Sequence, residues 1–341
     1  MNRLLLLILS LALLAGCSSA PDATMVAAPN IPDVRSHKDV VDTVVFSPDG
    51  KYLASGGWDN TIKIWRVTEG KGQLEATLNG HTNWVQSLAF SPADGTILAS
   101  GGADNAVKLW SWKEEKALKT LKGHTRKVTS VAFSPDGSQL ASAGEDGKVK
   151  IWTVPQGSLS KTLSLERPVF SVAFTPDGSF LATGEASGKI TLWNLAEGKI
   201  VSALDDYHTA TVRSLAFSSD GKYMLSTSDD KTAKLWTVSE GYASEQLTYY
   251  GHKNAVLCGV FSPDGKIATG SRDQTAHIWQ QSDGVTIQKL NNHTHWVYAA
   301  SFNPDGTILA TGSKQSVVLW NVQDKKFVSI LIDPKATGRV N

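Results

Sequence analysis

The pattern Phe-x-x-Asp-Gly occurs at Phe46, Phe133, Phe174, Phe217, Phe261 and Phe302, and a copy starting at Phe90 carries one extra residue, Ala93. The seven starts lie 41 to 44 residues apart. Each is followed by a Leu-Ala-Ser/Thr-Gly-like segment, a short turn and an apolar run ending in a tryptophan: Trp65, Trp110, Trp152, Trp193, Trp236, Trp279 and Trp320. Repetition at this period constrains the fold more than any local propensity does. In the third unit, VTSVAF alternates as a strand, SPDG makes a tight turn, QLASAG and KVKIW are further strands, and LKTL or its equivalent supplies a fourth. In the turn, Asp caps the bend and Gly supplies a positive φ. Sheets of this size cannot bury their faces alone, so neighbours must stack. A ring of such sheets leaves only short, protected edges. The expected fold is all-β: a seven-bladed β-propeller of four-stranded antiparallel blades, one domain over residues 37–332, with 333–341 as a C-terminal tail. The segment KFVSIL, residues 326–331, reads as the outer strand of blade 7, so each blade is expected to be contiguous in sequence.

The stretch GHTRKVTSVAFSPDGSQLASAGEDGKVKIW, residues 123–152, resembles the WD40-repeat family, and the resemblance extends over residues 37–332. It implies a hydrogen-bonded set of His, Ser/Thr, Asp and Trp in each blade. The matching residues are His37, Ser55, Asp59 and Trp65 in repeat 1, and His81, Ser100, Asp104 and Trp110 in repeat 2. Repeat 3 has His124, Ser142, Asp146 and Trp152; repeat 5 has His208, Thr227, Asp230 and Trp236; repeat 6 has His252, Thr269, Asp273 and Trp279. Repeat 4 departs, with Leu165 and Ser187 in place of His and Asp, and repeat 7 keeps His293 but has Lys314 in place of Asp. Losing both partners of a buried bond costs less than stranding one, which costs about 1–3 kcal/mol.

The chain opens with Arg3 and an apolar run, Leu4 to Leu14, interrupted only by Ser10. Such a run is too short to span a bilayer, which needs about twenty residues, and fits a secretory signal. Leu14-Ala15-Gly16-Cys17 resembles the lipobox of bacterial lipoproteins. That resemblance implies removal of residues 1–16 and a diacylglyceryl group on Cys17. By the same resemblance, Ser18 rather than Asp after the cysteine implies the outer membrane, facing the periplasm, in a cell that has one. Residues 17–36, with small residues and three prolines, are expected to form the lipidated N-terminus and a flexible tether. Cys258 is then the remaining cysteine and reads as a buried small hydrophobe. Removing Arg3 equalises the 33 basic and 32 acidic residues, leaving no electrostatic footprint for nucleic acid.

No nucleophile elbow or phosphate-binding loop occurs. The histidines are assigned to the repeat, apart from His277, read as a surface strand residue, and His295, whose pairing with His293 lacks a nearby Cys or acid. No metal or cofactor is expected. A residue present in every blade belongs to the architecture, so function should sit where blades differ. Before the structural Asp stand Trp58, Ala103, Glu145, Ala186, Asp229, Arg272 and Ser313; three places after the structural His stand Val40, Trp84, Lys127, Pro168, Thr211, Ala255 and Trp296. The resemblance places both sets on one rim. Trp58, Trp84 and Trp296, with Tyr298 nearby, should therefore form an aromatic arc over blades 7, 1 and 2, while Trp112 falls on the opposite side. Tryptophans dominate interface hot spots; the bland alternative is that they only shield blade junctions. Another arc carries Arg126, Lys127, Arg167, Arg213 and Arg272 among Glu145 and Asp229, either a solvated mixed-charge rim or a seat for an acidic segment. The expected function is a membrane-anchored, non-catalytic scaffold for protein or peptide partners in the bacterial envelope, with Arg213 and Arg272 joining the aromatic residues. The alternatives are a small-ligand or glycan sensor, with the tryptophans stacking on sugars, and, further off, a propeller enzyme.

Overall fold

The computed structural model describes residues 23–27, 35–92, 94–291 and 293–336. Seven sheets form in sequence order. Blade 1 consists of Val41–Phe46, Tyr52–Gly57, Ile62–Thr68 and Lys71–Leu78, running from the centre outwards. Blade 2 runs from Val85–Phe90 to Lys116–Leu121, blade 3 from Val128–Phe133 to Leu159–Ser164, and blade 4 from Val169–Phe174 to Lys199–Leu204. Blade 5 runs from Val212–Phe217 to Tyr242–Tyr249, blade 6 from Val256–Phe261 to Thr286–Asn291, and blade 7 from Ala299–Phe302 to Lys326–Ile330. Neighbouring innermost strands contact one another all the way round, blade 7 against blade 1 included. The molecule is the all-β, seven-bladed propeller of four-stranded antiparallel blades that the repeat requires.

The repeat motif maps directly onto this geometry. The second strand of each blade is walled by neighbours on both faces, so five of the six residues of Tyr52–Gly57 are buried. Small residues are needed there: a Cβ on Gly56 would stand 2.7 Å from Val85 Cγ1 of the next blade. The Phe-x-x-Asp-Gly turn closes with Gly50 at φ 69° and Asp49 Oδ1 accepting from Ser47 Oγ at 2.6 Å. In all seven blades the ladder between the third and fourth strands shifts register at the tryptophan. A bulge repeated at one place increases the local twist of every blade in the same way.

Ring closure uses contiguous blades and a short clasp. Ser36 N donates to Gln315 O at 2.7 Å, Ser36 Oγ donates to Leu331 O at 2.5 Å, and Ser36 Oγ accepts from Val317 N at 2.8 Å. Asp333 N donates to Arg35 O at 2.9 Å, and the Asp333 carboxylate pairs with the buried Lys63 ammonium of blade 1. Asp333, expected to begin a tail, therefore helps to tie the last blade to the first.

The segment expected to be a tether over residues 17–36 also differs in part. Thr24–Ala27 forms a strand that pairs in parallel with Thr286–Asn291, making blade 6 five-stranded. The outer edge of blade 6 offers unpaired backbone groups, and Val26 turns inward to the blade's core, 7% exposed. Cys17 and the signal region 1–16 lie outside the described residues, as do residues 337–341 of the expected tail.

Candidate functional site: an aromatic rim around the channel mouth

The buried tetrads set the positions of the rim loops. In blade 1, Trp65 Nε1 donates to Ser55 Oγ at 2.8 Å, Ser55 Oγ lies 2.7 Å from His37 Nε2, and His37 Nδ1 lies 3.0 Å from both Asp59 oxygens. Every polar atom is satisfied when Nδ1 carries the proton and the serine donates to Nε2. Asp59 then accepts from the backbone of Lys38 and Thr61, which holds the two loops together. Although burial works against it, the bonds from His37 and Thr61 hold the Asp59 carboxyl well below the usual range. The same connections run through His81, Ser100, Asp104 and Trp110, and through His124, Ser142, Asp146 and Trp152. They recur in His252, Thr269, Asp273 and Trp279.

Blade 5 requires a correction. Ser226, not Thr227, stands between His208 Nε2 (2.8 Å) and Trp236 Nε1 (2.9 Å), with Asp230 at His208 Nδ1. Ser226 faces Lys234 across the ladder as Ser55 faces Lys63, so Thr227 is one residue out of register. A one-residue shift turns a strand residue to the opposite face, and the buried Thr227 Oγ1 has no hydrogen-bond partner among the described residues. Blade 4 retains half the set, Trp193 Nε1 donating to Thr183 Oγ1 at 3.1 Å. In blade 7, His293 Nε2 meets Thr311 Oγ1 at 2.9 Å, and burial lowers the imidazole to about 4. His277, expected at the surface, is buried: it stacks on His252 at 4.0 Å and bonds Tyr249 Oη at 2.8 Å. The long outer strand of blade 5 brings Tyr249 over it, and burial pushes its pKa down to about 3.

The two rim positions singled out in the sequence are joined blade by blade. Trp58 N donates to Val40 O, Ala103 N to Trp84 O, Glu145 N to Lys127 O, Ala186 N to Pro168 O, Asp229 N to Thr211 O and Arg272 N to Ala255 O, all within 3.0 Å. In blade 7, Ser313 Oγ donates to Trp296 O at 2.9 Å instead.

The aromatic side chains meet across these pairs. Trp58 and Trp84 stack with centroids 4.1 Å apart and planes 8° from parallel. Tyr298 sets its edge against Trp58 at 6.1 Å and lies 5.8 Å from Trp296. Lys127 covers Trp84 at 5.2 Å and Arg272 covers Trp296 at 4.6 Å. The result is one ladder, Lys127–Trp84–Trp58–Tyr298–Trp296–Arg272, crossing blades 3, 2, 1, 7 and 6. Its rings remain half-buried, not enclosed. Arg213 is held apart from the ladder, bonded to Asp229 through two nitrogens (2.9 and 2.5 Å) and lying over Phe170 at 4.9 Å. Lys127 also reaches Glu145 at 3.8 Å, so both acids of the mixed-charge arc, Glu145 and Asp229, are paired within their own blades. Trp112 sits away from this rim, donating to Gly95 O at 2.7 Å in the Asp-Gly turn.

The ladder borders a channel mouth of about 510 Å³ that also includes Arg213. Among the residues that line it, one column takes a residue from each blade: Asp42, Gln86, Thr129, Phe170, Arg213, Leu257 and Tyr298. Of this column the sequence reading singled out only Arg213 and Tyr298. The signal was available, because each stands five residues after the histidine position, on the same face of the strand as the position three after it. Burial raises the Asp42 carboxyl to about 6 despite the opposing pull of Trp58 and Arg213, and raises the Tyr298 phenol to about 12. Arg272 Nε is buried without a hydrogen-bond partner among the described residues. Cys258 lies against the same channel, and its burial holds the thiol protonated, at about 12.

Comparison with known proteins places the chain among others of this architecture. The model of the IFT122 first beta-propeller matches residues 67–241, and that of the WD domain, G-beta repeat, matches residues 31–66, 243–280 and 284–321. The chain is 35% identical over 109 residues to nuclear distribution protein nudF 2 of Aspergillus clavatus, covering 31% of this chain and 25% of that one. It is 30% identical over 161 residues to nuclear distribution protein PAC1 of Arthroderma otae, covering 44% and 34%, and 35% identical over 153 residues to PAC1 of Coccidioides posadasii, covering 42% and 32%. The chain thus spans about a quarter to a third of the length of these curated relatives.

Proposed function

Because the chain belongs to the WD40-repeat β-propeller family, we propose that it is a non-catalytic scaffold that holds protein or peptide partners on the rim carrying Trp58, Trp84, Trp296 and Tyr298, with Arg213 and Arg272 beside them. The observation that carries this reading is the ladder itself, a continuous run of half-buried aromatic rings over blades 2, 1 and 7, flanked by Lys127 of blade 3 and Arg272 of blade 6. Trp, Tyr and Arg are enriched among interface hot spots, the few residues whose truncation costs about 2 kcal/mol or more. A sugar-binding reading needs free ring faces, and here Trp58 and Trp84 cover each other while cations cover Trp84 and Trp296. The same proposal includes the anchor: Leu14-Ala15-Gly16-Cys17 supports lipidation at Cys17 and residence in a bacterial envelope, on the periplasmic side of the outer membrane.

Cross-linking in cells, followed by isolation of the protein from membranes, tests the rim. A protein adduct seen with the native chain and lost in a folded Trp58→Ala/Trp84→Ala/Trp296→Ala variant is the expected result. Adducts that survive the three substitutions would overturn the assignment of the rim. Mass spectrometry of the mature N-terminus tests the anchor separately: a lipid-bearing Cys17 is expected, and a chain that still carries residues 1–16 would sink it.

A further inference from the structure

Blade 4 lacks both halves of the buried histidine–aspartate pair, and the vacated volume is not closed. A cavity of about 410 Å³ opens there, lined by Leu165, Trp193 and Ile200 together with Glu166, Glu185 and Asp205. Trp193 is 8% exposed, whereas none of the other six blade tryptophans exceeds 2%. Glu185 marks the spot. The equivalent residues are Gly57, Gly102 and Gly144 in blades 1 to 3 and Ser228 and Ser271 in blades 5 and 6. A Cβ on Gly102 would stand 2.5 Å from His81 Nδ1 and 2.6 Å from Asp104 Oδ1; on Gly144 the corresponding distances are 2.8 Å. A long side chain fits at this position only where the pair is gone, and blade 4 places a carboxylate in it, 5% exposed.

That carboxylate is poorly compensated. Among the described residues Glu185 has no ion pair, and the Thr191 hydroxyl is its hydrogen-bonding neighbour. Lys189, the nearest cation, is drawn to Asp205 at 3.2 Å. Around the cavity three carboxylates (Glu166, Glu185, Asp205) face two cations, Arg167 and Lys189. A desolvated carboxylate forms its strongest hydrogen bonds with a cation, and an indole wall adds attraction for the same kind of group.

We propose that the blade 4 cavity is a socket for a cationic side chain, an arginine or lysine presented by a partner polypeptide, whose charge pairs with Glu185 and whose methylene stem lies along Leu165, Trp193 and Ile200. The socket is distinct from the aromatic ladder, which bypasses blade 4, so the two stand or fall separately.

The test is a titration of the full, isotope-labelled protein with Nα-acetyl-arginine methylamide, followed by NMR at the Trp193 indole and the backbone amides of Leu165 and Glu185. Saturable shifts in the millimolar range are expected. The neutral isostere, the capped citrulline, should bind at least about tenfold more weakly, a difference of about 1.4 kcal/mol. Glu185→Gln should weaken arginine binding by a similar factor. So should Glu185→Ser, which uses the residue that blades 5 and 6 carry. The triple change Leu165→His/Ser187→Asp/Glu185→Gly, which rebuilds the blade's tetrad, should abolish binding while raising the melting temperature. The Trp58→Ala/Trp84→Ala/Trp296→Ala variant should bind as the native chain does. Equal binding of arginine and citrulline, full affinity in Glu185→Gln, or no indole shift up to tens of millimolar would each overturn the socket.

Discussion

Ser226 and Thr227 are adjacent hydroxyls with opposite fates. The run Ser226-Thr227-Ser228 presents three candidates for one buried position, and only pairing register selects among them. Ser226→Ala, which strands both His208 and Trp236, should cost about 1–3 kcal/mol in urea unfolding, whereas Thr227→Val, at a hydroxyl without a partner, should be neutral or mildly stabilising. His293 provides a pH test. Its imidazole titrates near 4 in the fold against about 6.5 in the unfolded chain. Between those values the unfolded state binds the proton and the native state does not, so the stability from this residue is complete above 6.5 and lost as pH falls towards 4, by roughly 3 kcal/mol. Lys314→Asp supplies the acceptor that the other histidines have and should shrink that loss, read from denaturation midpoints at pH 7 and 4.5. His277 shows why burial was not legible at this scale: the residue that covers it, Tyr249, comes from the preceding blade, at the end of an outer strand whose length no local pattern reveals.

Elements repeated seven times were legible because each copy checks the others. Turn, small-residue strand and tryptophan strand recur at one spacing, so an error in one unit does not change the architecture. The strand Thr24–Ala27 has no such copies. Four residues between Pro21 and Pro29 carry little signal, and what makes them a strand is the free edge of blade 6, which only the assembled fold provides. Replacing Val26 with Asp places a charge against that edge's apolar packing. Hydrogen exchange at the amides of Thr286–Asn291 should accelerate, with global stability changing by only about 1 kcal/mol, as expected for a low-stability edge element. The channel column was missed for the opposite reason. Asp42, Gln86, Thr129, Phe170, Arg213, Leu257 and Tyr298 have nothing in common as residue types, and only their shared offset from the histidine position unites them.

A ring is only as closed as its last seam. Here the seam between blades 7 and 1 is held by Ser36, by the Val40–Lys314 bridge and by the buried Lys63–Asp333 pair. Lys63→Ala leaves Asp333 buried without its cation and should cost about 3–5 kcal/mol, while removing both partners should cost less than either single change; urea unfolding of the two single variants and the double one checks this. One further consequence follows from the direction of the added strand. Thr24 pairs with Gln288 and Ala27 with Asn291, so this strand climbs alongside the outer strand of blade 6 towards the loop of His293 and Trp296. The polypeptide therefore arrives from the side opposite the aromatic ladder. Residue 17 is seven positions upstream of Thr24, a reach of at most roughly 25 Å. A molecule fastened there would be on a short leash, with its ladder turned away from the surface that holds it, like a dish mounted by its rim and facing outwards.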